Sequence, residues 1–289
     1  MATPLEGPDS LDHTGLERLI ERLIAGGVHG LFLLGTTGEG PALSYRLRRE
    51  LISRTCAQVA GRIPVLVGIT DTSVQESLSL AAHAHSAGAS AVVAAPPYYF
   101  PLSQADLFRL VQRLAAAVPL PLYLYNMPSL TKVSFAPETV ARAAELPNVW
   151  GFKDSSGDLA YLRAVLAQVQ GHPDFAVFVG PEDLLVESVA AGAHGGVCGG
   201  ANLFPSLFVS LYQAARNGDA ATAARLHQKV CRLGELLYGM GEPECSYLRG
   251  LKLGLELVGV CNSRLAEPFA AAHASQHEEL GRVLKEEFS

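Results

Sequence analysis

Short apolar runs recur along this chain at close to thirty-residue intervals, and this limits its folds more than any other feature. They begin near residues 31, 64, 91, 121, 148, 175 and 196. Each is short and bounded by Gly, Pro or Asn, the pattern of a strand buried on both faces. Gly30 to Gly35, Val65 to Ile69, Ala91 to Ala95, Leu122 to Tyr125, Val149 to Phe152, Phe175 to Val179 and the glycine-rich Gly195 to Gly200 are the seven. Helical periodicity fills most of the gaps. Asp12 to Gly26 carries Leu16, Leu19, Ile20, Leu23 and Ile24; Ser73-Val74-Gln75-Glu76 has the form of a capping box; Pro137 sits just inside a helix start. Strands alternating with helices at the size of one βα unit imply a parallel sheet. An eighth strand would close a (β/α)8 barrel. Only Ala2-Thr3-Pro4-Leu5 is left to supply it, so the first strand is expected to be truncated, with neighbouring edges left short of partners and prone to association. After Arg216 the alternation stops, and three helices without strands follow, near 219–240, 244–258 and 267–287. The expected organisation is an α/β barrel over 1–217 with a helical extension over 218–289.

Composition narrows the class. With 289 residues, 49% hydrophobic and 17% charged, the chain can bury a large core as one barrel. A net charge of −6 favours neither nucleic acid nor a membrane surface. No apolar run approaches the roughly 20 residues of a spanning helix, and Met1 to Ser10 lacks the features of a signal peptide. Cys56, Cys198, Cys231, Cys245 and Cys261 are scattered, which suits reduced thiols in a cytoplasmic protein. His and Cys never fall at zinc-ligand spacing, so no metal is expected.

Barrel active sites lie at the C-terminal ends of the strands. Those ends carry Thr36-Thr37, Tyr98-Tyr99, Tyr125, Lys153, Glu182-Asp183 and Val197-Cys198. An amine, phenols and hydroxyls suit Schiff-base chemistry better than metal chemistry. Burial disfavours the charged form of an amine, and a neutral amine condenses with ketones. Of the five lysines, only Lys153 follows a continuous apolar strand. Pattern alone leaves it either a snorkelling charge or a reactive amine. Thr36-Thr37-Gly38-Glu39-Gly40 fits ordinary turn chemistry as well, Tyr125 a core aromatic, and Cys198 a small core residue rather than a nucleophile.

Five motifs together carry a resemblance: Gly35-Thr36-Thr37-Gly38-Glu39, Pro97-Tyr98-Tyr99, Tyr125-Asn126-Met127-Pro128, Gly151-Phe152-Lys153-Asp154, and Gly192 to Asn202. In their order and spacing, over nearly the whole chain, the sequence resembles the dihydrodipicolinate synthase / N-acetylneuraminate lyase family of class I pyruvate-dependent aldolases. The resemblance implies that Lys153 forms the imine with a 2-oxo acid and that Tyr125 relays the proton. It implies that Thr36 and Thr37 hold the carboxylate, with Thr37 also in the relay, and that Val197 gives a backbone contact. Tyr99 would reach into a neighbour's site in a homodimer or homotetramer. No cofactor is implied, only a small-molecule 2-oxo acid and an aldehyde.

Departures from the family pattern bear on substrate. Synthases of the family usually carry Arg two residues past the proline of the Tyr-Asn-x-Pro motif; here that position is Leu130, which cannot form a charged bidentate bond. This argues against 4-hydroxy-tetrahydrodipicolinate synthase and towards a lyase for 2-keto-3-deoxy sugar acids or acylneuraminates. Ser155 and the acidic pair Glu182-Asp183 align with residues that lyases use on substrate hydroxyls. Lys132 stands where the family often has glycine. Family members also carry more residues before the segment matching Ala2-Thr3-Pro4. The alternatives are a keto-deoxy acid dehydratase using the same imine, and a silent relative that binds a 2-oxo acid.

Overall fold

The computed structural model describes residues 1–239, 246–270 and 274–288. A short antiparallel hairpin, β1 (Leu5–Gly7) and β2 (Ser10–Leu11), leads into α1 (His13–Ala25). Then come β3 (Leu31–Leu33), α2 (Tyr45–Val59), β4 (Val65–Gly68), α3 (Val74–Ser86), β5 (Ala91–Ala94) and α4 (Gln104–Ala117). β6 (Leu122–Asn126) is followed by α5 (Pro128–Thr131) and α6 (Pro137–Ala144), β7 (Val149–Asp154) by α7 (Leu159–Gln168), and β8 (Ala176–Val179) by α8 (Leu185–Ala190). β9 (Gly195–Gly196) and α9 (Pro205–Arg216) end the alternation, and α10 (Ala220–Tyr238), α11 (Ser246–Leu257) and α12 (Ala274–Phe288) complete the chain.

The helix starts follow from side-chain chemistry. Asp12 accepts from the Gly15 amide at 2.8 Å, Ser44 from Leu47 at 3.1 Å and Ser103 from Asp106 at 3.1 Å, each meeting an amide that the helix itself cannot. Pro137 and Pro205 open α6 and α9, where a missing N–H costs nothing.

Strands β3 to β9 pair in sequence order, every neighbour parallel. Phe32, Leu66, Val93, Tyr123, Lys153, Phe178 and Gly196, one from each strand, line one interior cavity, so the sheet is curled with these side chains inside. Leu33, Val67, Val92, Leu124, Phe152 and Val177 are fully buried core residues of the same strands.

The eighth strand expected from Ala2-Thr3-Pro4-Leu5 does not form. Leu5 pairs with Leu11 in the hairpin instead. Residues 1–3 are held by isolated hydrogen bonds, among them Met1 N to the Phe32 carbonyl at 2.5 Å, Ala2 N to Asn202 Oδ1 at 2.8 Å, and Thr3 Oγ1 to the Gly38 carbonyl at 2.7 Å. These partners lie on β3 and in the turns after β3 and β9, so the segment bridges the two edges without a ladder. Pro4, having no N–H, cannot extend one. A second correction concerns β7. The expected strand buried on both faces has Trp150 51% exposed on its outer side.

The hairpin, α5 and α8 are additions to the sequence-based expectation. The expected helix limits at Met240 and Glu244, and Cys245, fall outside the described residues. Among the described residues no helix is long and apolar enough to cross a membrane.

The last helices are tied to the barrel by a buried ion pair. Lys252, on α11 and 1% exposed, stands 3.0 Å from Glu39 Oε1. It also donates to the carbonyls of Thr3 at 2.5 Å and Arg264 at 2.7 Å, while Glu39 Oε2 accepts from the Ala266 amide at 2.7 Å. The glutamate of the Gly-Thr-Thr-Gly-Glu motif is therefore a structural anchor.

Candidate active site

The site starts from one register. In the parallel pair β6–β7, Tyr125 lies opposite Lys153 and Asn126 opposite Asp154. Opposed residues of a parallel pair point to the same face about 5 Å apart. On the outer face Asn126 Nδ2 donates to Asp154 Oδ1 at 2.8 Å, and Asn126 Oδ1 accepts from the Phe135 amide at 3.1 Å. Ser156 adds its amide and hydroxyl to Asp154. This buried network fixes the register. On the inner face the Lys153 ammonium then stands 4.3 Å from the centre of the Tyr125 ring and 5.2 Å from that of Phe32. Gly151, one step below Lys153, has no side chain because a Cβ there would run into the Tyr123 ring at 2.6 Å.

Tyr125 is buried. Burial pushes its phenol up, but the Lys153 charge and hydrogen bonds from Ser155, Thr36 and Lys153 bring it below its ordinary value. The Thr36 hydroxyl is 3.2 Å from the phenol oxygen. Thr36 and Thr37 are delivered to the mouth by Leu34, which adopts a left-handed conformation at φ 59°. A non-glycine residue there costs of order 1 kcal/mol and is a mark of functional sites.

Thr36 holds the place beside Tyr125, and Thr37, expected to share the relay with Tyr125, meets a different phenol. Its Oγ1 forms a short hydrogen bond with the hydroxyl of Tyr247 on α11. Tyr247 packs on Tyr238 of α10, ring centroids 4.9 Å apart. Tyr238 stands against the carboxyl of Glu182, which accepts from the Gly200 amide. Glu182 is nearly fully enclosed, and burial pushes its carboxyl up to about 7 against the hydrogen bonds that would lower it. Burial likewise pushes the Cys198 thiol well up, which suits the packing role expected of it.

A cavity of about 1160 Å³ gathers Thr36, Thr37, Tyr125, Lys153, Ser155, Glu182, Asp183 and Val197, together with Tyr238 and Tyr247. Leu130, 53% exposed on α5, lines it, and no charge stands in its place. Lys132 does not line it. It ends α5 at φ 61°, a conformation that favours glycine, and its amine donates to the Ser129 carbonyl at 2.7 Å. Tyr99, 75% exposed, is outside its own chain's cavity, next to Phe100 at 72%. Among the described residues no three His, Cys, Asp or Glu side chains cluster as a metal site would require.

Tyr238 and Tyr247 escaped the sequence reading. They lie on helices of the extension, where helical periodicity marks them only as possible packing residues. What aims them at the barrel mouth is the docking of α10 and α11.

Comparisons with known proteins place the chain in a family. The profile of the dihydrodipicolinate synthetase family matches residues 1–287. The Escherichia coli K12 protein named "Probable 2-dehydro-3-deoxy-D-pentonate aldolase YjhH" is 37% identical over 253 residues, 87% of this chain and 83% of its own. The structure of dihydrodipicolinate synthase from Bacteroides thetaiotaomicron superposes with a TM-score of 0.96 at 51% identity, covering 99% of this chain and 96% of that one. YagE of E. coli K12, solved in complex with pyruvate and described as belonging to the same family, gives 0.93 at 32% identity over 99% and 95%. The chain belongs to the dihydrodipicolinate synthetase family of pyruvate-dependent lyases and aldolases.

Proposed function

We propose that this protein is a class I lyase that cleaves, or forms, a 2-oxo acid of the 2-keto-3-deoxy sugar-acid or acylneuraminate type. The observation that carries the proposal is the opposition of Lys153 and Tyr125 across one register, an amine and a phenol of lowered pKa facing one cavity. In the cleavage direction, the neutral Lys153 amine adds to the keto carbon, and the Tyr125 phenol gives its proton as the keto oxygen leaves as water, so that an iminium and a Tyr125 phenolate remain. The Tyr125 phenolate takes the proton of the C4 hydroxyl. The C3–C4 bond breaks, its electron pair neutralises the iminium as an enamine, and C4 departs as an aldehyde. The Tyr125 phenol returns its proton to C3, which regenerates the iminium; water hydrolyses it to pyruvate and the free Lys153 amine, and the proton released restores the Tyr125 phenol. Thr36 donates to Tyr125 in its anionic form, Thr37 and the Val197 backbone meet the 2-oxo acid, and Ser155, Glu182 and Asp183 meet hydroxyls of the aldehyde portion. Tyr99 acts from a neighbouring copy in a homodimer or homotetramer.

Leu130 supports a polyhydroxy aldehyde over a carboxylate-bearing one, because an apolar side chain at the mouth cannot pair with an anion. A dehydratase using the same imine is the second reading. Glu182 favours it, since a carboxyl held near neutrality can protonate a departing hydroxyl.

Borohydride reduction with pyruvate tests the chemistry. A stable adduct is expected on Lys153 in wild type and none in Lys153→Arg; folded wild type that takes no adduct refutes the imine. A screen of aldehydes with pyruvate, aspartate semialdehyde included, then identifies the substrate.

A further inference from the structure

Two adjacent threonines each meet a phenol, and the two pairs differ in character. Tyr125 faces the Lys153 charge and sits below its ordinary pKa, so the phenolate is within reach and Thr36 is the donor to it. Tyr247 is partly buried on α11. Burial and the nearby Glu182 carboxyl push its phenol up, so it keeps its proton. That proton needs an acceptor, and the hydroxyl oxygen of Thr37 stands at hydrogen-bond distance. Once Thr37 Oγ1 accepts that proton, its own hydrogen is turned away from Tyr247. Both side chains line the cavity that holds Lys153. The backbone helps to aim Tyr247: Gly199, beside Val197, has no side chain where any Cβ would overlap the Tyr247 hydroxyl.

We infer that Tyr247 is a positioning residue of the extension, which orients the Thr37 hydroxyl so that its proton is presented to the carboxylate of the bound 2-oxo acid. The inference rests on the imine at Lys153 and adds to it a within-chain determinant of 2-oxo acid affinity on α11. Thr36 and Thr37 thereby divide their work. One supports a phenolate that moves protons, and the other, locked by a phenol that does not ionise, holds the substrate's anionic end.

Borohydride trapping tests this with pyruvate and with pyruvamide, its neutral counterpart. A hydrogen bond to a charged group exceeds one to a neutral group by roughly 1 kcal/mol or more. Tyr247→Phe is therefore expected to raise the pyruvate concentration for half-maximal trapping on the order of 10-fold, to change that for pyruvamide much less, and to leave the yield at saturation intact. Thr37→Val is expected to show the same selectivity, and Tyr247→Phe/Thr37→Val to be no worse than Thr37→Val alone. Gly199→Ala, which displaces the Tyr247 hydroxyl without removing it, should reproduce Tyr247→Phe and gives an independent route if that variant folds poorly. Equal weakening for both ligands, or additive losses in the double variant, overturns the inference. Absence of trapping in folded wild type instead overturns the imine, so the two failures are distinct.

Discussion

Glu182 shows how one side chain records its surroundings. Its carboxyl is pushed up to about 7 by burial. A carboxyl whose folded pKa lies above its unfolded value binds its proton more tightly when folded. Its contribution is thus greatest at low pH and declines as pH rises from the ordinary carboxylate range through about 7. A shift of this size corresponds to about 3 kcal/mol. Urea unfolding at pH 5 and pH 8 should show wild type losing up to about that much across the interval, with Glu182→Gln losing less. Equal pH dependence in the two proteins would mean that Glu182 ionises freely. The site was partly legible at this scale. Lys153 and Tyr125 end apolar strands, and strands announce themselves locally. Tyr247 and Lys252 lie on an amphipathic helix, where nothing in the sequence says which turn will face the barrel. Lys252 follows no apolar strand in the sequence, yet it is more deeply buried than Lys153.

Among elements, α11 has the most to hold. Its Lys252 is surrounded by the Glu39 carboxylate and two carbonyls, so removing the amine strands a carboxylate that is 3% exposed. Breaking a buried pair from one side typically costs about 3–5 kcal/mol. Lys252→Met should lower unfolding free energy by that order in a denaturant titration, and Glu39→Gln/Lys252→Met should recover part of the loss. Full stability in the single variant would show that water reaches Glu39. Six of the barrel strands, β3 to β8, were legible because each contains an apolar run closed by a turn, and β9 through its glycine-rich run at the same spacing. β1, β2, α5 and α8 were not, since two to six residues are too few to display a period. The expected eighth strand failed for a different reason: Pro4 lacks a donor, and Leu5 finds its partner in Leu11.

For the whole molecule, the notable surface is the aromatic turn after β5. Tyr99 and Phe100 stack edge to face with centroids 4.9 Å apart, both largely in solvent, beside Tyr98 at the cavity wall. Large apolar side chains gathered at one exposed point mark an interaction surface. We propose that a second copy covers it. Light scattering on Phe100→Asp should then give a smaller particle than wild type; equal masses would place any interface elsewhere.

The tie between Lys252 and Thr3 also has a consequence in time. It joins residues 249 positions apart in the chain, and α11 carries both that tie and the phenol on Thr37. On the ribosome, every barrel strand is made before this helix emerges. Until it docks, Glu39 lacks its counter-ion and Thr37 its phenol. Such long-range closure slows folding, and the candidate site gains its last contacts only when α11 docks.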